Sequence, residues 1–241
     1  MLRFLTILGA ALLLAAPASA QTSTPDVPAI ERIVREYLLK NPEVILEAIE
    51  NLEKKRSDSA QGAAKAAIAE RRTEIFKDPD SPDAGNPNGD VAIVEFFDYR
   101  CPYCKQVVAP LAQLLKEDTK LSLVHKELPI LGPDSVVAAR AALAARKQGK
   151  YMPMHTALMQ MRTLDEPSIL KAAAAQGLDT TKLKADMQSA ETDAIIERNR
   201  ALARALNISG TPAFIIGDAL VPGAIDLRTL KSLVAEARAK K

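Results

Sequence analysis

Apolar residues along this chain fall into three regimes, each predicting a different kind of structure. Near the amino terminus Ile30, Ile33, Val34, Tyr37 and Leu38 recur at spacings of three and four, which predicts a helix with one apolar face, and Asp26 stands where its cap belongs. Asn41-Pro42 stops that pattern and restarts it, because asparagine suits a cap and proline the first helical turn. Val44, Ile45, Ala48, Ile49 and Leu52 then form a second stripe. Residues 53 to 77 are charged and alanine-rich, with Ile68, Ile75 and Phe76 as the large apolar groups, so an exposed helical linker weakened at Gly62 is expected, with too little apolar surface for a core. Pro79, Pro82, Gly85, Pro87 and Gly89 predict a loop and a domain boundary over residues 78 to 90.

The remaining sequence reads differently. Val91–Phe97 is a near-continuous apolar run of β-type residues, as in a central strand buried on both faces. A helix is predicted from the cysteines to about Glu117, a strand over residues 121 to 128, and a turn at Leu131-Gly132-Pro133. Alanine-rich helical patterns fill residues 134 to about 206, broken near Pro153, Pro167 and Gly177. Strand signals return at Ala213–Ile216, with a turn at Gly217-Asp218 and a short second strand through Val221, and Asp226 caps a last helix. The order is strand-helix-strand, helical block, hairpin, helix, an α/β arrangement.

A chain of 241 residues holds one catalytic domain and an appendage. Residues 1–20 read as a secretory leader: Arg3 is the basic start, residues 5 to 16 are apolar but too short to span a bilayer, and Ala18-Ser19-Ala20 is a cleavage site. An uncleaved membrane anchor is the alternative; otherwise the mature chain is expected to be soluble. The further divisions are a helical segment at 21–56, a linker and loop at 57–90, and a domain at 91–241 with a helical insertion at about 133–206. Lys plus Arg total 32 against 30 for Asp plus Glu, so charge gives no argument for nucleic acid or an anionic membrane as partner. The only two cysteines, Cys101 and Cys104, form one C-x-x-C. A bridge closing so short a loop constrains the unfolded chain little, so chemistry explains the pair better than stability does.

Cys101 falls at a strand-to-helix junction with Pro102 in the first helical turn, so its sulfur faces free backbone N–H groups and the positive end of the helix, which makes it the attacking nucleophile. Cys104, one turn on, is the resolving thiol. The competing reading is half a zinc site completed by His125 and His155, but those histidines are far apart against the three-to-five gap of zinc modules. Metal and cofactor are expected to be absent.

The segment Val94-Glu95-Phe96-Phe97-Asp98-Tyr99-Arg100-Cys101-Pro102-Tyr103-Cys104 resembles the active-site segment of DsbA-type periplasmic oxidoreductases, and Gly210-Thr211-Pro212-Ala213-Phe214 resembles their cis-proline loop. The likeness covers about residues 91 to 234, with Gly149-Lys150-Tyr151 and Pro222-Gly223 as weaker landmarks. It implies a thioredoxin-like fold with an inserted helical domain, a cis peptide before Pro212, and substrate contacts from Thr211, Pro212, Pro102 and Tyr103. The backbone of Thr211 can then pair with an extended client segment as an added strand. Threonine before that proline is the habit of the family's isomerases, and valine that of its strong oxidases. Glu95 occupies the position of the family's buried acid; burial would raise its pKa and let it pass a proton to or from Cys104, whereas on an edge strand it would face solvent. Tyr103 supplies no local positive charge, so an intermediate redox potential is expected.

The amino-terminal helices resemble those of suppressor-of-copper-sensitivity C proteins, a branch with an oligomerisation segment. Two short helices with full apolar stripes cannot bury them alone, so neighbouring subunits are the natural cover, with docking onto their own catalytic domain as the alternative. The resulting expectation is a periplasmic homo-oligomeric thiol-disulfide oxidoreductase of the isomerase kind. Its partners would be cysteine-containing exported clients and a membrane redox partner. The competing function is a copper(I) carrier or buffer using the reduced pair as soft ligands.

Overall fold

The computed structural model describes residues 26–240, so the leader expected over residues 1–20 lies outside the described residues. The chain divides into two compact units, Met1–Lys54 and Lys55–Lys241. Among the described residues no helix is long and apolar enough to cross a membrane.

In the first unit α1 (Val27–Lys40) starts where Asp26 accepts a hydrogen bond from the Ala29 N–H at 3.5 Å. It buries none of its residues, and Ile30, Ile33, Val34 and Tyr37 stand exposed. Asn41 does not cap the following helix with its side chain. Its Nδ2 and its backbone N–H both donate to the Tyr37 carbonyl at 2.9 Å, closing the end of α1 instead. The next helix, α2 (Glu43–Glu70), presents Ile45, Leu46, Ile49 and Leu52 outward in its first half. It runs unbroken through Gly62, a glycine with open space around it, whose cost against alanine is about 1 kcal/mol.

The second unit is built on a five-stranded sheet in the order β1-β3-β2-β4-β5. The strands are β1 (Asp83–Gly85), β2 (Val91–Phe97), β3 (Leu121–Glu127), β4 (Ala213–Ile216) and β5 (Ala219–Pro222). β2 and β3 pair in parallel, with Glu95 opposite His125 and Phe97 opposite Glu127, and β4 joins β2 antiparallel with Phe214 opposite Glu95. Alternation sends Ile93, Leu123, Phe214 and Ile216 to one face, where they pack on Val107, Leu111 and Leu114 of α4 (Pro102–Glu117) and Leu230 and Val234 of α10 (Leu227–Ala239). Between β3 and β4 lie α5 (Pro133–Arg146), α6 (Tyr151–Gln160), α7 (Glu166–Ala175), α8 (Thr180–Met187) and α9 (Ala190–Ala205), the helical insertion. Small residues make α5 its hub: Ala138, Ala141, Ala142, Ala144 and Ala145 are buried, so neighbouring helices approach closely.

The opposite face of the sheet corrects the linker expectation. Ile68 of α2 and Ile75 of α3 (Arg72–Phe76) are fully buried with Val94, Phe96, Ile215, Leu202 and Leu206. Two isoleucines suffice because α9 covers the rest of that face, and their burial stabilises the unit by roughly 1.5–3 kcal/mol each. Lys126, 1% exposed, clamps this layer: its Nζ donates to the Glu74 carbonyl at 2.7 Å and to Asp78 Oδ2 at 2.9 Å. The expected loop contains β1, antiparallel to β3, where Gly85 has φ +78 and a Cβ would sit 2.6 Å from the Leu121 carbonyl oxygen. Only glycine fits so close to the neighbouring strand.

Candidate functional site

The site forms where β2 ends and α4 begins. Cys101 is the N-cap of α4, extended at φ −72 and ψ 118, with Pro102 as the first helical residue. Its own N–H is tied to the Asp98 carbonyl at 3.0 Å, which turns the chain sharply out of the strand. Cys101 is 4% exposed and its Sγ donates to the Thr211 carbonyl at 3.1 Å. Thr211-Pro212 is a cis peptide, as the cis-proline expectation has it. Gly223 N–H donates to the Pro212 carbonyl at 2.8 Å and so ties that loop to the end of the β4-β5 hairpin. Thr211 Oγ1 is buried with no hydrogen-bond partner; the contact with the thiol is made by the backbone. Tyr103 projects outward and is 58% exposed.

Cys104 lies one turn below, fully buried and not bonded to Cys101. Burial pushes its thiol far above the ordinary cysteine range, and the nearby Glu95 carboxylate and Cys101 add to the shift. Cys104 therefore stays protonated until a neighbouring base takes its proton. Glu95 meets the conditions for that base. It is 2% exposed on a central strand rather than on an edge, its Oε1 has no hydrogen-bond partner, and burial raises its pKa from 4.5 to about 8.

Other groups carry no role in the sequence reading. Asp98, 1% exposed, accepts hydrogen bonds from the N–H groups of Arg100 at 2.7 Å, Ile130 at 2.8 Å and Leu131 at 3.0 Å. Arg100 Nη1 donates to the Leu131 carbonyl at 2.6 Å. Together they fasten the loop after β3 beside Cys101, where exposed Ile130 and Leu131 give the site an apolar rim along with Tyr103. Beneath the cysteines lies a buried polar cluster. Glu127 Oε1 accepts from the Tyr99 hydroxyl at 2.9 Å and the Tyr151 hydroxyl at 2.8 Å, and Tyr99 also meets His155 Nδ1 at 3.1 Å. Burial raises the Glu127 carboxyl and lowers both histidines, His125 to about 4. The two histidines weighed as zinc ligands thus face each other inside this cluster, ring centroids 4.7 Å apart. The signal in the sequence was the polar run His125-Lys126-Glu127 inside an otherwise apolar strand.

A family model described as DSBA-like thioredoxin domain matches residues 92–235, and one described as copper resistance protein ScsC N-terminal domain matches residues 26–58. The structure is similar to that of a thioredoxin-like oxidoreductase from Silicibacter pomeroyi, with 48% identity and a TM-score of 0.68 over 70% of this chain and 98% of that one. It is similar to Proteus mirabilis ScsC in a transitional conformation, with 33% identity and a TM-score of 0.68 over 89% of this chain and 95% of that one. Among curated proteins, the thiol:disulfide interchange protein DsbA of Bordetella parapertussis is 28% identical over 54% of this chain and 64% of that protein. The chain spans 25% of the length of the first curated relatives it matches, Na(+)/H(+) antiporters NhaA.

Proposed function

The chain belongs to the DSBA-like thioredoxin domain family, and on that premise we propose that it is a periplasmic thiol-disulfide oxidoreductase working as a protein disulfide isomerase on cysteine-containing exported clients. The observation that carries the reading is the pairing of Cys101 Sγ with the Thr211 carbonyl at 3.1 Å, above a buried Cys104. An extended client laid along Thr211 as an added strand brings its own sulfur to Cys101. Cys101 then attacks the client disulfide, forming a mixed disulfide and releasing one client thiolate. Either a client thiol or Cys104 resolves it, and in the second case Glu95 accepts the Cys104 proton.

Threonine before the cis-proline and the outward stripes of α1 and α2 support isomerase over oxidase action. Shuffling requires several exchanges on one held client, which several sites in a shared space do better than one, and exposed apolar stripes are what subunit association would cover. A membrane redox partner would keep the pair reduced. The test is recovery of ribonuclease from its scrambled form, run beside oxidation of a reduced model peptide. Strong recovery with weak oxidation is expected. The reverse pattern overturns the isomerase reading, and neither activity would favour the copper(I) carrier. Cys104→Ser should accumulate mixed disulfides that Cys101→Ser does not.

A further inference from the structure

Glu95 and His125 are register partners on parallel β2 and β3, so their side chains leave one face of the sheet about 5 Å apart. They are 2% and 1% exposed, and each carries one polar atom with no partner, Glu95 Oε1 and His125 Nδ1. A bare polar atom in a dry interior costs free energy, and here the two deficits belong to residues paired across β2 and β3, are not hydrogen-bonded to one another, and are complementary, so a side-chain rotation that joins them satisfies both. A protonated Glu95 is an O–H donor. The main-chain N–H of His125 donates to the Pro82 carbonyl at 2.8 Å and fixes the backbone there, burial keeps the ring neutral, and with the ring proton on Nε2 the unpartnered Nδ1 is an acceptor. The ring is held by His155, Tyr151 and Phe97, with centroids at 4.7, 5.7 and 5.9 Å.

We propose that His125 is the positioning residue of the redox centre, its Nδ1 accepting a hydrogen bond from the protonated carboxyl of Glu95 and so holding the proton that Cys104 gives up and takes back. The inference rests on Glu95 acting as the base for Cys104. With a client joined to Cys101, the Cys104 proton moves to the Glu95 carboxylate and the Cys104 thiolate attacks the Cys101 sulfur. The Cys101–Cys104 bond forms, the bond to the client breaks, and the client sulfur leaves with the electron pair: the cysteine pair is oxidised and the client reduced. The new carboxyl proton then points to His125 rather than back to the thiolate. The titratable groups around the pair are Cys104 from α4, Glu127 from β3, Tyr151 and His155 from α6, and Tyr99 and Asp98 from the turn after β2, while β4 places Phe214 opposite Glu95.

The test is nuclear magnetic resonance of the reduced full chain carrying labelled glutamate carboxyls and histidine nitrogens, between about pH 6 and pH 10. The Glu95 carboxyl should titrate near pH 8. His125 Nδ1 should shift with the same midpoint although its ring stays neutral, and Glu95→Gln should abolish that shift. A flat His125 signal while Glu95 titrates overturns the inference and leaves the role of Glu95 standing; a Glu95 that does not titrate overturns both. A second readout is the pH profile of thionitrobenzoate release by Cys104 from a Cys101 adduct. His125→Leu, which removes the acceptor, should lower its midpoint by about one unit. His125→Asn, whose amide oxygen reaches the place of Nδ1, should restore it. Equal midpoints in all three proteins, or equal shifts in both variants, overturn the inference.

Discussion

The two units of this chain depart from the ordinary distribution of residues in opposite directions. The first turns apolar side chains outward: Ile33 is 63% exposed, Leu46 62% and Leu39 72%. The second turns polar ones inward, with Glu95, Asp98, His125, Lys126 and Glu127 all within a few per cent of full burial. An exposed apolar stripe and a buried charge each cost free energy in an isolated chain, so each needs a purpose that folding alone does not supply. On the reading proposed above, that purpose is association in the first unit and proton and thiol chemistry in the second. Lys126 differs from the others, because its ammonium is matched by Asp78 and the Glu74 carbonyl and so serves as a structural clamp, whereas Glu95 is buried with an unmatched oxygen.

The sharpest way to break the comparison is to remove the first unit. Deleting residues 21 to 56 should leave a folded monomer that still reduces simple disulfides and has lost most of its scrambled-ribonuclease recovery. Light scattering decides it, and a full-length monomer or an unchanged mass would sink the association role. The next largest effect belongs to Glu95. Its carboxyl titrates at 4.5 in the unfolded chain and at about 8 in the folded one, so between those values the folded state binds the extra proton. The stability this supplies is complete below about pH 4.5 and is lost as pH rises through about 8. At about 1.4 kcal/mol per unit the loss is on the order of 5 kcal/mol, and denaturant unfolding of Glu95→Gln should lack it.

A paired substitution tests the apolar half of the contrast. Ile75→Ala, inside the core of the second unit, should destabilise it by about 2–5 kcal/mol. Ile45→Ala, on the open stripe, should change that unit's unfolding by no more than about 0.5 kcal/mol while weakening self-association. The smallest effect is expected at Thr211→Val. The hydroxyl is buried without a partner, so its loss should alter stability by less than about 1 kcal/mol, and the change should appear instead as a shift from isomerisation toward oxidation in the two assays run side by side.

Local pattern was enough to determine much of this protein. Strand β2 and the start of α4 follow from a continuous β-type run ending at a cysteine and a proline, and the helix caps at Asp26 and Asp226 follow from residue type alone. The cysteine pair at the start of α4 was legible because both cysteines sit within one turn, and the cis peptide before Pro212 because it travels with a recognisable loop. What escaped depended on partners distant in the chain. Ile68 and Ile75 read as linker because their alternative to water is the far face of a sheet whose strands come later. Asp98 received no role from the sequence because the N–H groups it gathers include those of residues 130 and 131. Glu127 gained its meaning from Tyr99 and Tyr151, 28 and 24 residues away. Periodicity records which way a side chain points relative to its own helix or strand. Whether that direction leads to solvent, to a greasy core or to an unmatched polar atom is decided only when the sheet closes and sets the surrounding dielectric, and that is where Glu95 and His125 acquire their burial and their unpartnered atoms.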